Sequence, residues 1–257
     1  MARYLDAQRQ AVFAQPGCGV SGLAEKTRGM KDMRYQAWGL ILLVAMLAGL
    51  GGAQDAPFAV GQISYGETLV PGAAICTGAL VMPDLVLTAG HCLRRLLAAP
   101  ASVRFATGFA DGRSPTVRQG AEVILSSAKV SKDRANDVAL LRLQMPITID
   151  VVAALPVADL ASAPRVDGFT LIAYRRDAPD VSQRRDDCTL ITTLPGILAL
   201  SCPVMSGNSG APVLAWDGTD WQIVAVIVAS SSGSAVQSLA ATIPLDLLAR
   251  ITQSVQP

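Results

Sequence analysis

From about Val60 to Ile243 the apolar positions fall in short runs rich in Val, Ile, Leu and Ala, broken by polar and turn-forming residues. Runs of this length and composition predict strands rather than helices. In the first half of the chain the pattern predicts strands over 74–81, 85–89, 103–105, 122–125 and 138–143. In the second half it predicts 170–174, 188–192, 199–202, 211–215, 222–229 and 238–243. Pro83-Asp84, Asp111-Gly112 and Asp217-Gly218 punctuate these as turns, with Trp216 and Trp221 flanking the last as hairpin packing. Residues 175–187, of mixed charge, read as a solvated loop. Only 245–254 has a helical pattern: Pro244 precedes it, and Leu245, Leu247, Leu248 and Ile251 make one face. The Ala- and Pro-rich stretch 155–164 connects the halves. Many short strands and a single helix argue for an all-β fold of paired antiparallel barrels or a sandwich.

A different pattern occupies the N-terminus. Residues 37–53 carry no charge, follow Lys26, Arg28, Lys31 and Arg34, and end in Gly51-x-Ala53. A basic flank, an apolar stretch and a small-residue end describe a signal peptide over 33–53 cleaved after Ala53. The competing reading is a membrane anchor over 37–53, for which the stretch falls just short of the roughly 20 residues a spanning helix needs. Residues 1–32 form an extension, and Met30 and Met33 are alternative starts. The expected organisation is therefore a domain over 54–257, with barrel 1 at about 60–150, barrel 2 at about 165–245, and the C-terminal helix. Such a protein is secreted or periplasmic, with no membrane association after signal removal.

Removing the leader changes the arithmetic. The whole chain has 257 residues and a net charge of +1. The part after Ala53 has 15 basic and 17 acidic residues, so no electrostatic footprint for nucleic acid stands out. It also loses Cys18, leaving Cys76, Cys92, Cys188 and Cys202. An even count in an exported chain reads as two disulfides. Three pairings are open; the sequential one, Cys76–Cys92 and Cys188–Cys202, keeps each bridge within one half. With His91 as the only histidine and no C-x-x-C, no zinc or other metal site is expected, nor any cofactor.

Three short motifs carry chemistry. Leu85-Val86-Leu87-Thr88-Ala89-Gly90-His91-Cys92 is an apolar run ending in a small-residue turn that presents the histidine. Asn136-Asp137-Val138-Ala139-Leu140 puts a carboxylate at the mouth of another apolar run. Ser206-Gly207-Asn208-Ser209-Gly210-Ala211-Pro212 sets a serine between glycines, which permit a sharp turn and leave N–H groups free to face a ligand. A serine hydroxyl becomes a nucleophile when a base takes its proton, and the base needs a third group to orient it. Taken singly, Asp137 reads as a strand cap and Ser209 as a tight turn; their joint occurrence with His91 points to nucleophilic catalysis.

At these residues, over roughly Val60 to Ile251, the chain resembles the chymotrypsin-like (trypsin-fold) serine peptidases. The family's T-A-x-H-C, D-[IV]-A-L and G-x-S-G-x-P motifs match Thr88–Cys92, Asp137–Leu140 and Gly207–Pro212, in the family's order. The resemblance implies two antiparallel six-stranded β-barrels with the active site in the cleft between them. It implies His91 as general base, Asp137 as its orienting carboxylate, Ser209 as nucleophile, and the N–H groups of Gly207 and Ser209 as the oxyanion hole. It also implies the Cys76–Cys92 bridge. The activity implied is that of an exported serine endopeptidase, a monomer acting on polypeptides through an acyl-enzyme. The alternative is a catalytically silent member that binds peptides or a partner. Because His91 is the only imidazole, any loss of activity on acidification is assignable to it.

Two departures bear on specificity and activation. Asn208 stands where animal digestive relatives carry an Asp that pairs with a newly cut N-terminus, and in this the chain is similar to bacterial branches of the family. Pro203 stands where trypsin-like members place an acidic specificity residue. A neutral pocket built from Pro203, Val204, Met205, Val228 and Ser230 is expected, accepting small or apolar side chains before the scissile bond. An α/β-hydrolase is excluded by order, since that class needs G-x-S-x-G and a histidine after the serine. Here position 211 is Ala, and no histidine follows Ser209.

Overall fold

The computed structural model describes residues 59–66, 74–107, 116–126, 133–158 and 168–253. The extension, the signal or anchor segment and the Asp111-Gly112 turn lie outside the described residues, as does most of the 155–164 connection. Among the described residues no helix is long and apolar enough to cross a membrane.

The first half is a closed antiparallel barrel of six strands: β1 (Val60–Tyr65), β2 (Ala74–Met82), β3 (Leu85–Ala89), β4 (Val103–Thr107), β5 (Thr116–Leu125) and β6 (Val138–Leu143). Their order around the barrel is β1-β2-β3-β6-β5-β4, with β4 closing onto β1. The uninterrupted apolar sequence of β3 follows from burial of all five of its residues. β1 carries no such signal: Gln62 and Ser64 alternate with Gly61 and Ile63, yet all are buried.

The second half is one curled sheet of seven strands: β7 (Phe169–Arg175), β8 (Ala178–Cys188), β9 (Leu190–Leu194), β10 (Ile197–Leu200), β11 (Pro212–Trp216), β12 (Trp221–Ser230) and β13 (Ser238–Thr242). Its order is β8-β7-β11-β12-β13-β10-β9. The expected two-barrel architecture is thus present, the second unit having one strand more than expected, and the C-terminal helix runs Leu245–Gln253. Residues 175–187 are a correction: they form a hairpin rather than a loop, with β8 at the edge of the sheet. Arg184 pairs with Asp186 and Arg185 with Asp187, each two residues along the strand. Charges on an edge strand discourage pairing with another chain, which is why β8 lacks apolar alternation. Trp216 and Trp221 do pack across their hairpin, with ring centroids 5.1 Å apart.

β7 shows how the two halves join. Phe169, Leu171 and Ala173 point into the second unit's own core, whereas Ile172 and Tyr174 belong to the cluster built on the barrel. Alternation along one strand therefore supplies two cores at once. The two disulfides are Cys76–Cys92, within the first half, and Cys188–Cys202, within the second.

Candidate active site

Strand register brings His91 and Asp137 together. β3 and β6 are antiparallel with Ala89 opposite Val138, so the residue two beyond β3 meets the residue just before β6. The Gly90 N–H donates to the Asp137 carbonyl at 2.8 Å, closing the corner. The carboxylate then accepts three hydrogen bonds. His91 Nδ1 lies 2.6 Å from Oδ2, the His91 backbone N–H donates to Oδ1 at 2.7 Å, and Arg94 Nη2 donates to Oδ1 at 3.0 Å. A carboxylate only accepts, so in the neutral ring the proton sits on Nδ1 and the lone pair on Nε2. The Asp137 side chain is 13% exposed and that of His91 38%, an oriented carboxylate behind an accessible ring.

Ser209 comes from the second half, on the loop before β11, and a buried threonine of β2 positions that loop. Thr77 N–H donates to the Ser209 carbonyl at 2.8 Å, and Thr77 Oγ1 donates to the Gly207 carbonyl at 2.8 Å. The same oxygen accepts from Tyr174 N–H at 3.0 Å, and the Thr77 carbonyl accepts from the Thr88 hydroxyl at 2.7 Å. One residue thereby ties the Ser209 loop, β7 and the strand leading to His91, the first two through its hydroxyl and the last through its carbonyl. Asn208 locks the loop from within: its Oδ1 accepts from Met205 N–H at 2.7 Å and its amide donates to the Tyr174 carbonyl at 2.9 Å. Neutral bonds hold this turn.

Gly207 and Gly210 have φ of +104° and +84°, the left-handed region that glycine adopts without strain. A Cβ on Gly207 would lie 2.7 Å from Arg176 N and Tyr174 O, and one on Gly210 would overlap the Thr77 carbonyl and the Thr88 hydroxyl. Gly210→Ala should therefore cost roughly 3–5 kcal/mol, from backbone strain and overpacking combined. Gly218, with φ of +103° and nothing near its missing Cβ, isolates the backbone part. Gly218→Ala should cost about 1 kcal/mol, and denaturant unfolding of the two variants measures the difference.

His91 and Ser209 line one cleft of about 530 Å³. Tyr65, Cys76, His91, Cys92, Arg95 and Leu96 form its wall on the first half, and Arg176, Ser206, Gly207 and Ser209 form it on the second. Among the described residues the Ser209 hydroxyl makes no hydrogen bond, and the N–H groups of Gly207 and Ser209 donate to no protein acceptor. A nucleophile–base bond that closes only with substrate is common in unliganded sites. Tyr65 donates its hydroxyl to the Cys92 carbonyl, and burial pushes that phenol up to about 12, so it stays neutral. Cys76, His91 and Cys92 lie close enough to suggest a metal cluster, but the two sulfurs are joined and offer no thiolate.

The residues expected to form a specificity pocket do not line this cleft. Val228 is buried within β12, Val204 packs against the core of the second unit, and Pro203, Met205 and Ser230 are exposed. Thr77, Arg94, Arg95 and Arg176 were not singled out by sequence pattern. Thr77 had one signal, a polar residue in an otherwise apolar strand; the arginines acquire meaning only from the fold. The family model described as Trypsin matches residues 52–190, a span that includes His91 and Asp137 and ends before the Ser209 loop. Covering more than half of the chain, and agreeing with the two-barrel architecture, this match shows that the chain belongs to the trypsin family.

Proposed function

We propose that the protein is an exported serine endopeptidase that cleaves polypeptides through Ser209, His91 and Asp137. The observation that carries this reading is the bond from His91 Nδ1 to Asp137, which turns Nε2 toward the cleft that also contains Ser209. Substrate binding brings the Ser209 hydroxyl to Nε2, which takes its proton as the oxygen attacks the scissile carbonyl. Charge developing on the carbonyl oxygen meets the free N–H groups of Gly207 and Ser209, a pair of preorganised donors. His91, now an imidazolium stabilised by Asp137, returns its proton to the leaving amine, and water repeats the cycle on the acyl-enzyme. Export accords with two disulfides, which persist in oxidising compartments. The neutral clamp of Asn208 supports a nucleophile loop that needs no charged N-terminus to order it.

A phosphonylating reagent tests the assignment directly. The expected result is a single covalent adduct on Ser209, identified by peptide mass spectrometry, with hydrolysis of unfolded protein lost in step with labelling. A folded protein that takes no label and cleaves nothing is instead the silent, peptide-binding member of the family.

A further inference from the structure

The arginines of the described residues are mostly engaged. Arg94 is bound to Asp137, Arg142 to Asp84 and Glu122, Arg175 to Asp177, and Arg184 and Arg185 to Asp186 and Asp187. Arg134 is exposed and forms no ion pair but lies outside the cleft; Arg95 and Arg176 are likewise exposed, and among the described residues neither forms an ion pair. These are also the two arginines that line the cleft with His91 and Ser209, and no carboxylate is among its lining residues.

Their placement follows from the fold on each side. Arg95 lies in the short turn Arg94–Leu96 immediately after His91 and Cys92. Its neighbour Arg94 is turned onto Asp137, which leaves Arg95 to the cleft wall. Arg176 sits at the tip of the β7–β8 hairpin, where its N–H donates to the Ser206 carbonyl at 2.9 Å. Beside it, the Arg175 guanidinium bonds Asp177 and holds that carboxyl below the ordinary range. The adjoining acid in the chain is thus committed to Arg175, and among the described residues Arg176 has no ion-pair partner.

The side of the cleft is fixed by the proton transfer. His91 gives its proton to the leaving amine, so the portion of substrate after the scissile bond lies on the His91 flank. This cleft is bounded by that flank, through Cys76, Cys92, Arg95 and Leu96, and by nothing from β11 or β12. We infer that Arg95 and Arg176 select substrates with acidic side chains, Asp or Glu, in the first two positions after the scissile bond. The inference rests on the peptidase reading and names its substrate class. Guanidinium groups suit it, since their fixed fork matches a carboxylate. A cleft lined by one sign of charge also concentrates ligands of the other.

Internally quenched peptides test this. One cleaved sequence, taken from digestion of an unfolded protein, is made with Glu-Glu, Gln-Gln or Lys-Lys after the bond, and the cut is located by mass spectrometry. The expected kcat/KM favours Glu-Glu over Gln-Gln by about tenfold, from two partly screened pairs, and disfavours Lys-Lys further. Raising salt to 0.5 M should shrink the ratio, because exposed pairs are screened. Arg95→Gln with Arg176→Gln should bring the ratio near one, and Arg176→Glu should favour Lys-Lys. Arg118→Gln, outside the cleft, should keep the native ratio. A native ratio near one, a preference that survives the double substitution, or selection of acid before the bond instead of after it overturns the inference alone. Failure of both labelling at Ser209 and peptide hydrolysis overturns the peptidase reading and this inference with it.

Discussion

Ser209→Ala is expected to lower kcat by about 10⁶-fold, the cost of losing the nucleophile of a catalytic unit whose members act together. In barrier terms that is roughly 8 kcal/mol. The variant should fold normally, and the structure says why. The Ser209 contact that orders the loop is its carbonyl, held by Thr77 N–H, and alanine keeps it. The hydroxyl makes no hydrogen bond among the described residues, so its removal leaves no partner unsatisfied. Thermal unfolding should therefore match the native protein while steady-state hydrolysis collapses and KM changes little. Native turnover by a folded Ser209→Ala protein would place the nucleophile elsewhere and end the proposed mechanism.

Asp137→Asn is the second large effect, expected at about 10⁴-fold in kcat. An asparagine amide in place of the carboxylate offers a donor toward Nδ1. The ring then takes the opposite tautomer, with its proton on Nε2 and no lone pair for Ser209. Arg94 adds a cost particular to this site. Its guanidinium lies 3.0 Å from the carboxylate, and in the variant it faces the imidazolium without a counter-charge between them. Replacing Arg94 by Met in the Asp137→Asn background should accordingly restore a few-fold of kcat. A double variant no better than the single would show that Arg94 acts on the geometry of Asp137 rather than on charge. Pre-steady-state acylation rates separate these outcomes from changes in product release.

The difference between what was legible in the chain and what was not follows from range. His91, Asp137 and Ser209 each sit in a contiguous motif, because the corner of β3, the mouth of β6 and the turn before β11 are each built by a few neighbouring residues. The apolar strands were legible for the same reason: β3 and β6 are buried throughout or nearly so, and burial is written in consecutive side chains. β1 and β8 were not, in opposite ways. β1 buries polar Gln62 and Ser64, whereas β8 holds an edge position with paired charges where apolar residues would invite aggregation. Thr77 and Arg176 are a further step removed. Thr77 bonds residues of the other half and Arg176 shares a cleft with His91 and Arg95 of the other half, so their roles exist only after docking, and a local pattern carries no trace of them. Val228 and Val204 show a related ambiguity: both pack with the apolar side chains of the second half, and in sequence a core position and a pocket wall are written in the same letters.

The Thr77 connection has a consequence for survival. A peptidase is hydrolysed by its own kind chiefly when it opens locally, since cleavage needs an extended, unpaired segment of chain. Here the loop that carries Ser209 is held in shape by a strand of the opposite barrel. Any opening that separates the halves parts Ser209 from His91 and Asp137 before either barrel has melted. Under the proposed mechanism the most vulnerable molecule in a population is thus also disarmed, and damaged copies do not add to the hazard facing intact ones.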